Sequence, residues 1–381
     1  MSGTQQPGTR RGSLTYDAVG VDAHRKAGSL REVGKWIQKT FTLNASAPRL
    51  PLGYFANVVP LLADLDLAIS TDGVGTKILV AQELGRYDTV GIDCVAMNAN
   101  DILCVGAQPV SMVDYIAVER ADPDFLGEIA KGLYAGAQAA AINIPGGEIA
   151  EVREMIRGAR PEYGFDLVGT CVGTLRPDRL IVGQDIRPGD LVVGLESSGI
   201  HSNGLTLARR VLFEHCKLRV TDALPELGRP TGEELLEPTH IYVPEVLEMI
   251  AGDVAVKALI HVTGGGFLNL NRVRAESGCV IEQLLEPRSA IFAAIQERGN
   301  VDDAEMFRVY NMGTGLCVVV DPKDAARAVA IANAHDRRAA VIGYTVPDPE
   351  RKVWIPQRKL VGRDATFRHT NELPPRCPGT P

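Results

Sequence analysis

The sequence predicts an α/β protein of the α+β type with two domains. Short apolar segments with strand character alternate with amphipathic helical segments along the chain. The 39 glycines and the aromatic content of only 5% are typical of an enzyme built from small apolar side chains and tight backbone loops. At about 150 residues per domain, the length of 381 residues favours two domains.

The first half of the chain alternates strands with two long helices. The helix predicted from Gly91 to Val105 has its apolar positions on one face and short Asp and Asn side chains on the opposite arc. The Ala-rich helix predicted from Pro123 to Ala141 is followed by a stop, Pro145-Gly146-Gly147. The predicted strands are Leu65 to Ser70, Val110 to Val118 and Asp166 to Leu175.

The second half repeats this organisation after a change in composition at Arg176-Pro177-Asp178, which predicts the domain boundary. Its predicted strands are 191–195 and 316–320, and its predicted helices begin at Leu205 and span Pro322 to His335. From His369 onward the chain is rich in proline, which favours a disordered end. The expected division is a flexible tail (1–15), an N-terminal domain (16–176), a C-terminal domain (177–345), and an extension and tail (346–381).

Charge and cysteine content exclude several classes of protein. The formal net charge of -7 argues against general affinity for nucleic acid or for an anionic membrane surface. The seven cysteines form no Cys-x-x-Cys pair and lie mostly in apolar runs, which indicates reduced, buried thiols in a cytoplasmic protein. No apolar run approaches the roughly 18 residues of a membrane-spanning helix. The P-loop, the dinucleotide fingerprint and the nucleophile elbow are also missing.

The segment STDGVGTK, Ser70 to Lys77, is the first candidate for a ligand site. Asp72 follows a predicted strand, Gly73 and Gly75 allow close approach of the backbone to a ligand, and Lys77 supplies a cation. An Asp at this position suits Mg²⁺, which prefers carboxylate oxygens together with phosphate. The alternative interpretation is an ordinary Asp-Gly turn with a surface lysine.

The polar arc of the helix from Gly91 is the second candidate. Asp93 and Asn100 are seven residues apart and nearly eclipsed, and Asp101 is turned further round. A solvated helix face is the competing interpretation, although such a face ordinarily mixes in Lys, Glu and Arg.

The third candidate is PGGEIAE, Pro145 to Glu151, where a Gly-Gly-Glu turn can direct the carboxylate of Glu148 at a metal or substrate. Its alternative is a helix stop followed by charged residues.

The fourth candidate is the loop GLESSGIHSNG, Gly194 to Gly204, which joins a strand to a helix. Its hydroxyls, amides and glycines favour an anion site, and His201 is a candidate phosphate ligand or proton donor. A structural loop histidine is the alternative. The later segment HVTGGGF, His261 to Phe267, also suits close approach to a phosphate.

Taken together and in this order, these segments resemble the phosphoribosylformylglycinamidine cyclo-ligase family, the aminoimidazole ribonucleotide synthetases of purine biosynthesis. MNANDIL, Met97 to Leu103, adds to the signature. Further matching stretches are YDAVGVD (Tyr16 to Asp22), EPTHIYV (Glu237 to Val243) and NMGTG (Asn311 to Gly315). The resemblance covers roughly Tyr16 to Gly343.

The resemblance implies an N-terminal domain whose strands pair across a homodimer to close a barrel, with a C-terminal α/β domain beside it. It implies ATP and Mg²⁺ as cofactors and formylglycinamidine ribonucleotide as substrate, with no nucleic acid or membrane partner. The implied metal ligands are Asp72, Asp93, Asp101 and Glu148, and the implied catalytic residues are His201, Lys77 and Asp72. Positions expected to contact nucleotide or substrate are Asp72, Gly73, Gly75, Thr76, Asp93, Asn100, Asp101, Gly147, Glu148, Ser198, Asn203, Gly264 and Gly265.

The implied reaction needs positioning and charge neutralisation more than a protein nucleophile, because ATP itself activates the amide oxygen that leaves. The chain departs from the family pattern at Ile149, where a Thr is expected, at Val152-Arg153, where Met-Pro is expected, and at Asn271, where Pro is expected. These changes leave open a non-catalytic or divergent ATP-binding paralogue of the same superfamily. A selenophosphate synthetase is disfavoured, because the first cysteine is Cys94.

Overall fold

The computed structural model describes Thr15, Gly20 and residues 23–375, and it confirms a mixed α/β fold with two β-sheets. The matching stretch Tyr16 to Asp22 lies, apart from Gly20, outside the described residues. No helix in the described part of the chain is long and apolar enough to cross a membrane.

The first sheet has five strands in the order β1-β2-β5-β3-β4 and belongs to the N-terminal half. β3 and β4 run parallel, and the other neighbours are antiparallel. Helices α3 and α4 pack against each other beside this sheet. The elements of this half are α1 (Ala23–Ile37), β1 (Asn57–Leu62), β2 (Leu65–Gly73), α2 (Lys77–Leu84), α3 (Asp88–Leu103), β3 (Gln108–Val118), α4 (Pro123–Ala140), β4 (Gly147–Glu151) and β5 (Phe165–Leu175).

The second sheet has eight strands in the order β13-β12-β11-β8-β10-β6-β9-β7. Its strands are β6 (Leu191–Glu196), β7 (Val256–His261), β8 (Ser277–Ile281), β9 (Thr314–Val320), β10 (Ala339–Pro347), β11 (Val353–Ile355), β12 (Leu360–Arg363) and β13 (Thr366–His369). Its helices are α5 (Leu205–Arg209), α6 (Thr231–Leu235), α7 (Val243–Ala251), α8 (Ile291–Gly299), α9 (Asp303–Val309) and α10 (Ala325–Ala334).

Glycines allow α3 and α4 to approach closely, and this contact fixes α3 against the first sheet. A Cβ added at Gly132 would lie 1.9 Å from the carbonyl oxygen of Asp88, and one added at Gly91 would lie 2.3 Å from the backbone nitrogen of Leu133. Neither helix backbone can yield to such a contact, so both positions require glycine.

The predicted elements of the N-terminal half are present within a few residues, with one exception. The Gly-Gly-Glu segment predicted as a turn after a helix stop is instead the edge strand β4, and α4 ends earlier, where Ala141 adopts the left-handed conformation. This part of the prediction was wrong because Gly147 pairs in register with Asp114 of β3, a contact that no local pattern reveals.

The disordered end predicted from His369 is wrong at its first residue, whereas residues 370–375 carry no helix or strand and leave the prediction untested there. His369 belongs to β13, and Phe367 of the same strand is buried against Phe307. β11 pairs with β8, so the strands after residue 347 extend the second sheet. The stretch 376–381 lies outside the described residues.

Within the described residues, one face of the first sheet carries no helix. In β5 the buried positions alternate with half-exposed ones, and the buried side faces α3. On the opposite side, Val113 is 45% exposed and Tyr115 is 43% exposed, with Ile69 close in the same surface. An apolar sheet face that water reaches is typical of an interaction surface.

Candidate active site

The turn after β2 is held by a buried asparagine of α3. The backbone nitrogen of Asp72 donates to Oδ1 of Asn98 at 2.9 Å, and Nδ2 of Asn98 donates to the carbonyl oxygen of Asp72 at 3.1 Å. This amide clamp fixes the backbone while the Asp72 carboxylate accepts from the Gly73 nitrogen at 2.8 Å. Gly75, with φ of +71°, then turns the chain into α2.

Two carboxylates lie in one row across the sheet on the face that α3 covers. Asp72 pairs with Gly169 of β5, and Gly169 pairs with Asp114 of β3. Directly paired residues place their side chains on the same face of a sheet, so Asp72 and Asp114 flank a glycine that has no side chain. Burial raises the pKa of the Asp114 carboxyl. Sequence reasoning missed Asp114, because it lies inside a strand with no motif around it.

The next position in this row is Gly147 of β4, which Asp114 faces. A Cβ added there would lie 2.5 Å from Oδ1 of Asp114, so the first residue of the strand must be glycine for this carboxylate to fit. Burial is the largest cause of the raised pKa of the Cys94 thiol, and the carboxylates of Asp114 and Asp72 raise this pKa further. The two carboxylates therefore lie around one point on the sheet.

A cavity of about 860 Å³ opens beside this row, between α4 and the β3–β4 edge. Its wall is mostly apolar, with the carboxylates of Asp114 and Glu148 among its few charged groups. Such a cavity suits a flat, largely apolar ring system with a polar end. The lining includes Ile116, Leu126, Ala130, Leu133, Tyr134, Ala137, Ile142, Asn143, Ile144, Gly146, Gly147 and Ile149.

The polar arc of α3 faces the C-terminal half of the chain. Lys77 and Asp93 are both fully buried, and Nζ of Lys77 lies 2.9 Å from Oδ1 and 2.8 Å from Oδ2 of Asp93. Only the contact with Oδ1 has hydrogen-bond geometry. Lys77 also donates to the carbonyl oxygen of Glu237 at 2.6 Å, and Asp93 accepts from the nitrogen and hydroxyl of Thr239 at 2.8 and 2.6 Å.

Asn100 and Asp101 continue this contact along the helix. Asn100 donates to the carbonyl oxygen of His240 at 2.8 Å and accepts from the nitrogen of Tyr242 at 2.9 Å. Asp101 lies 2.9 Å from Nδ1 of the buried His261. The short Asp and Asn side chains thus bind the segment 237–242 and the end of β7. Their predicted roles in metal and nucleotide binding stay predictions.

The loop after β6 is folded around its histidine. His201 is buried with φ of +67°, and its Nε2 accepts from the Ser198 nitrogen at 3.2 Å. Burial, reinforced by the neighbouring His261 and Lys77 side chains, holds the pKa of His201 well below its usual range. The ring is therefore neutral at pH 7 and carries its proton on Nδ1, which has no partner in the described part of the chain.

The turns of the two halves meet at the mouth of this loop. The hydroxyls of Thr76 and Thr206 are 3.0 Å apart. A Cβ added at Gly264 would lie 2.9 Å from Oδ1 of Asn203, and Gly265 has φ of +121°. The predicted segments 70–77, 198–203 and 264–265 are thus brought together, whereas Glu148 lies on the β4 edge. No group of three or more His, Cys, Asp or Glu side chains in the described residues could alone hold a metal.

The fold and these turns define the class of protein. The N-terminal domain of AIR synthase related proteins matches residues 55–175, and their C-terminal domain matches residues 187–355. A phosphoribosylformylglycinamidine cyclo-ligase from Methanothermobacter thermautotrophicus is 53% identical over 279 residues, which are 73% of this chain and 80% of that relative. The one from Methanocaldococcus jannaschii is 44% identical over 351 residues, covering 92% and 96%. The chain belongs to the phosphoribosylformylglycinamidine cyclo-ligase family.

Solved structures share this fold at low sequence identity. The HypE-HypF complex matches with a TM-score of 0.60 and 18% identity, covering 91% of this chain and all of that chain. Thiamine-monophosphate kinase from Stenotrophomonas maltophilia matches with a TM-score of 0.57 and 18% identity, covering 86% and 95%. PurL of T. maritima complexed with ATP matches with a TM-score of 0.52 and 16% identity, covering 87% and 52%.

Proposed function

We propose that this chain closes the imidazole ring of aminoimidazole ribonucleotide from formylglycinamidine ribonucleotide, with conversion of ATP to ADP and phosphate, in purine biosynthesis. The observation that carries the proposal is the 53% identity to a cyclo-ligase over 279 residues, together with the two family domains that match residues 55–175 and 187–355. Two carboxylates, Asp72 and Asp114, pair with the same glycine beside an apolar cavity, and this arrangement supports the proposal of a nucleotide site there.

The cavity between α4 and the β3–β4 edge is proposed to hold the adenosine part of ATP. Its apolar wall suits the base, and Asp114 and Glu148 lie where the cavity meets the sheet row. PurL from T. maritima shares this fold, and its solved structure is a complex with ATP, which supports a nucleotide site on the fold. ATP would then direct its phosphates toward Asp72, Asp114 and the turns of the C-terminal half.

The residues in the sheet row fit Mg²⁺ as a bound ion. Asp72 and Asp114 supply hard carboxylate oxygens on one face, and Mg²⁺ in phosphoryl-transfer sites is ordinarily held by one or two carboxylates plus phosphate oxygens. When bound, the ion neutralises charge on the transferred phosphoryl group. Glu148 pairs with Tyr115, whose side chain lies on the opposite face of the sheet, so the proposed metal ligands are Asp72 and Asp114 without Glu148. Asp93 and Asp101 are proposed to act by fixing α3, because their contacts lie within the protein.

In the proposed reaction the amide oxygen of the substrate attacks the γ-phosphorus of ATP, giving an iminophosphate and ADP. An amidine nitrogen of the same molecule then attacks the activated carbon, the carbon–oxygen bond breaks, and phosphate leaves with that oxygen. The chain contributes orientation through the turns at 72–76, 198–203 and 264–265. Neutral His201 holds the Ser198 nitrogen in place, so we assign it a positioning role in this loop.

The uncovered face of the first sheet is proposed to pair with a second copy of the chain. Val113 and Tyr115 are nearly half exposed on strands that carry the candidate site on their opposite face. Burying this apolar face against its equivalent would close the two sheets into the barrel that the family resemblance implies. A homodimer would then place the two candidate sites on either side of the shared barrel.

The direct test is to incubate the purified protein with Mg-ATP and formylglycinamidine ribonucleotide and to assay aminoimidazole ribonucleotide and ADP. Equal amounts of the two products are expected, and a matched sample with excess chelator should form neither. ATP binding without either product would overturn the proposed reaction and favour the divergent paralogue.

A further inference from the structure

A second polar cavity lies where the segment 237–241 passes between the two halves. It encloses about 250 Å³ and is lined by that segment together with Ser198, Arg288 and Arg337. An adjoining cavity of about 320 Å³ shares Ser198, Glu237 and Arg288 with it. The polar cavity is also lined by Ile92 of α3 and Ala139 of α4, so both it and the apolar cavity border α4, but no residue lines both.

The cations around this cavity outnumber their carboxylate partners. Glu196, only 2% exposed, accepts from both Arg288 and Arg338, at 2.6 and 2.7 Å. Arg337 forms no ion pair within the described residues, and its Nε is buried without an acceptor. Two guanidinium groups therefore share one buried carboxylate, and the third, Arg337, has no carboxylate partner in the described part of the chain. The remaining carboxylate at the wall, Glu237, pairs with Arg229.

The charge of Arg337 is not neutralised locally, and its field reaches the domain contact. It lowers the pKa of the His240 imidazole, although burial is the larger cause and the Glu245 carboxylate acts in the opposite direction. It also contributes to the lowered pKa of His201, where burial again dominates. A buried guanidinium nitrogen without an acceptor is costly, and an anion in the cavity would remove that cost.

We propose that this cavity binds the phosphate group of a small phosphorylated metabolite, at a site separate from the proposed ATP cavity. A guanidinium fork matches a phosphate in geometry and charge. Arg337 lines the cavity without a carboxylate partner in the described residues, and Arg288 also lines it while its Nε donates to Glu196. The volume of 250 Å³ equals that of roughly eight waters at about 30 Å³ each, which suits a phosphate with a few attached carbons. The ligand class is a sugar phosphate or a similarly small phosphomonoester.

Binding at this cavity would act on the contact between the two halves. The segment 237–241 lines the cavity and also carries the acceptor for Lys77 and the donors for Asp93. A phosphate held by Arg337 and Arg288 would add contacts beside this segment. A ligand that binds only the folded state of the chain, and not the unfolded state, also raises the midpoint of thermal unfolding.

The test is a calorimetric titration with ribose 5-phosphate, in the absence of ATP and substrate, on the full chain. Arg337→Gln is expected to weaken binding at least tenfold, and Arg337→Lys, which keeps the charge but loses the fork, to weaken it about threefold. Arg368→Gln, an exposed arginine of β13, is the matched control and should bind as the wild type does. Ribose without phosphate should give no heat of binding.

The proposal is overturned if the wild type does not bind ribose 5-phosphate, or if both Arg337 variants bind it with wild-type affinity. Steady-state kinetics then identify the source of the phosphate. A tenfold higher KM for formylglycinamidine ribonucleotide in Arg337→Gln at unchanged kcat would identify the substrate phosphate, whereas an unchanged KM would identify a separate metabolite. The titration needs no turnover, so its result is independent of the proposed reaction.

Discussion

Replacing Lys77 with methionine tests whether the buried polar contact between α3 and the segment 237–242 holds the two halves together. The substitution keeps the length of the side chain but removes the ammonium that contacts Asp93 and the carbonyl oxygen of Glu237. The Asp93 carboxylate would remain, fully buried, with only the two donors of Thr239.

Breaking a buried ion pair by removing one partner costs about 3–5 kcal/mol, because the remaining charge is left without compensation. We therefore expect the free energy of unfolding to fall by about 3–5 kcal/mol in Lys77→Met. With an m value of about 3 kcal/mol per M, the urea midpoint would fall by about 1–1.7 M. Equilibrium urea unfolding followed by circular dichroism measures this shift.

Two further variants make the experiment specific. Lys77→Met combined with Asp93→Asn removes both charges and keeps an acceptor for Thr239, so it should recover at least about 2 kcal/mol relative to the single variant. Lys35→Met is the matched control, because Lys35 and its partner Glu32 are 66% and 70% exposed, and it should change stability by less than about 1 kcal/mol. A loss of under 1 kcal/mol in Lys77→Met would refute the reasoning.

Four other predictions concern single substitutions elsewhere in the structure. Asp114→Asn should lose at least tenfold in ATP turnover with an unchanged urea midpoint, and normal kinetics would remove Asp114 from the proposed magnesium site. Val113→Glu, on the uncovered sheet face, should convert a dimer to a monomer in light scattering, and a dimer of unchanged mass would contradict the proposed interface. Gly315→Ala should lower the thermal midpoint, since the added Cβ would lie 2.0 Å from the Tyr242 hydroxyl and 2.6 Å from Cε1 of His201. Burial lowers the pKa of the His201 imidazole below its ordinary 6.5, so the wild-type protein should lose stability as the pH falls below that value. His201→Gln should therefore lose less stability than the wild type between pH 7.5 and 5.5. Equal losses in the two proteins would contradict the burial of His201 as a neutral ring.

The N-terminal half was predictable because its elements carry strong local periodicity. α4 was predicted from Pro123 to Ala141 and spans Pro123–Ala140, and β5 was predicted from Asp166 and begins at Phe165. β4 was missed because only its pairing with β3 makes it a strand. β11–β13 were missed for the same reason: they are short, and each depends on its neighbour in the sheet.

The polar arc of α3 illustrates why the candidate site could be predicted only in part from the sequence. Asp93, Asn100 and Asp101 were correctly singled out as unlike an ordinary solvated face, and the structure buries their contacts in the segment 237–242 and His261. A short carboxylate or amide in a helix has the same sequence pattern whether it faces a ligand or another part of the chain. Asp114 had the opposite problem, because its partner Asp72 is 42 residues away and only the sheet brings the two into one row.

The position of β10 in the second sheet has a consequence for how the chain folds as it is synthesised. All strands of the first sheet lie before residue 176, so that sheet can form while the rest of the chain is still being made. In the described sheet β10, formed by Ala339–Pro347, lies between β8 and β6, so the two sides of the second sheet would remain unconnected until nearly the whole chain has been synthesised. Until the segment 237–242 and β7 arrive, Asn100 and Asp101 of α3 lack the partners that this later part of the chain supplies, and Asp93 has Lys77 but not Thr239. The same Asp and Asn side chains that later join the two halves would therefore keep that side of the nascent N-terminal half polar.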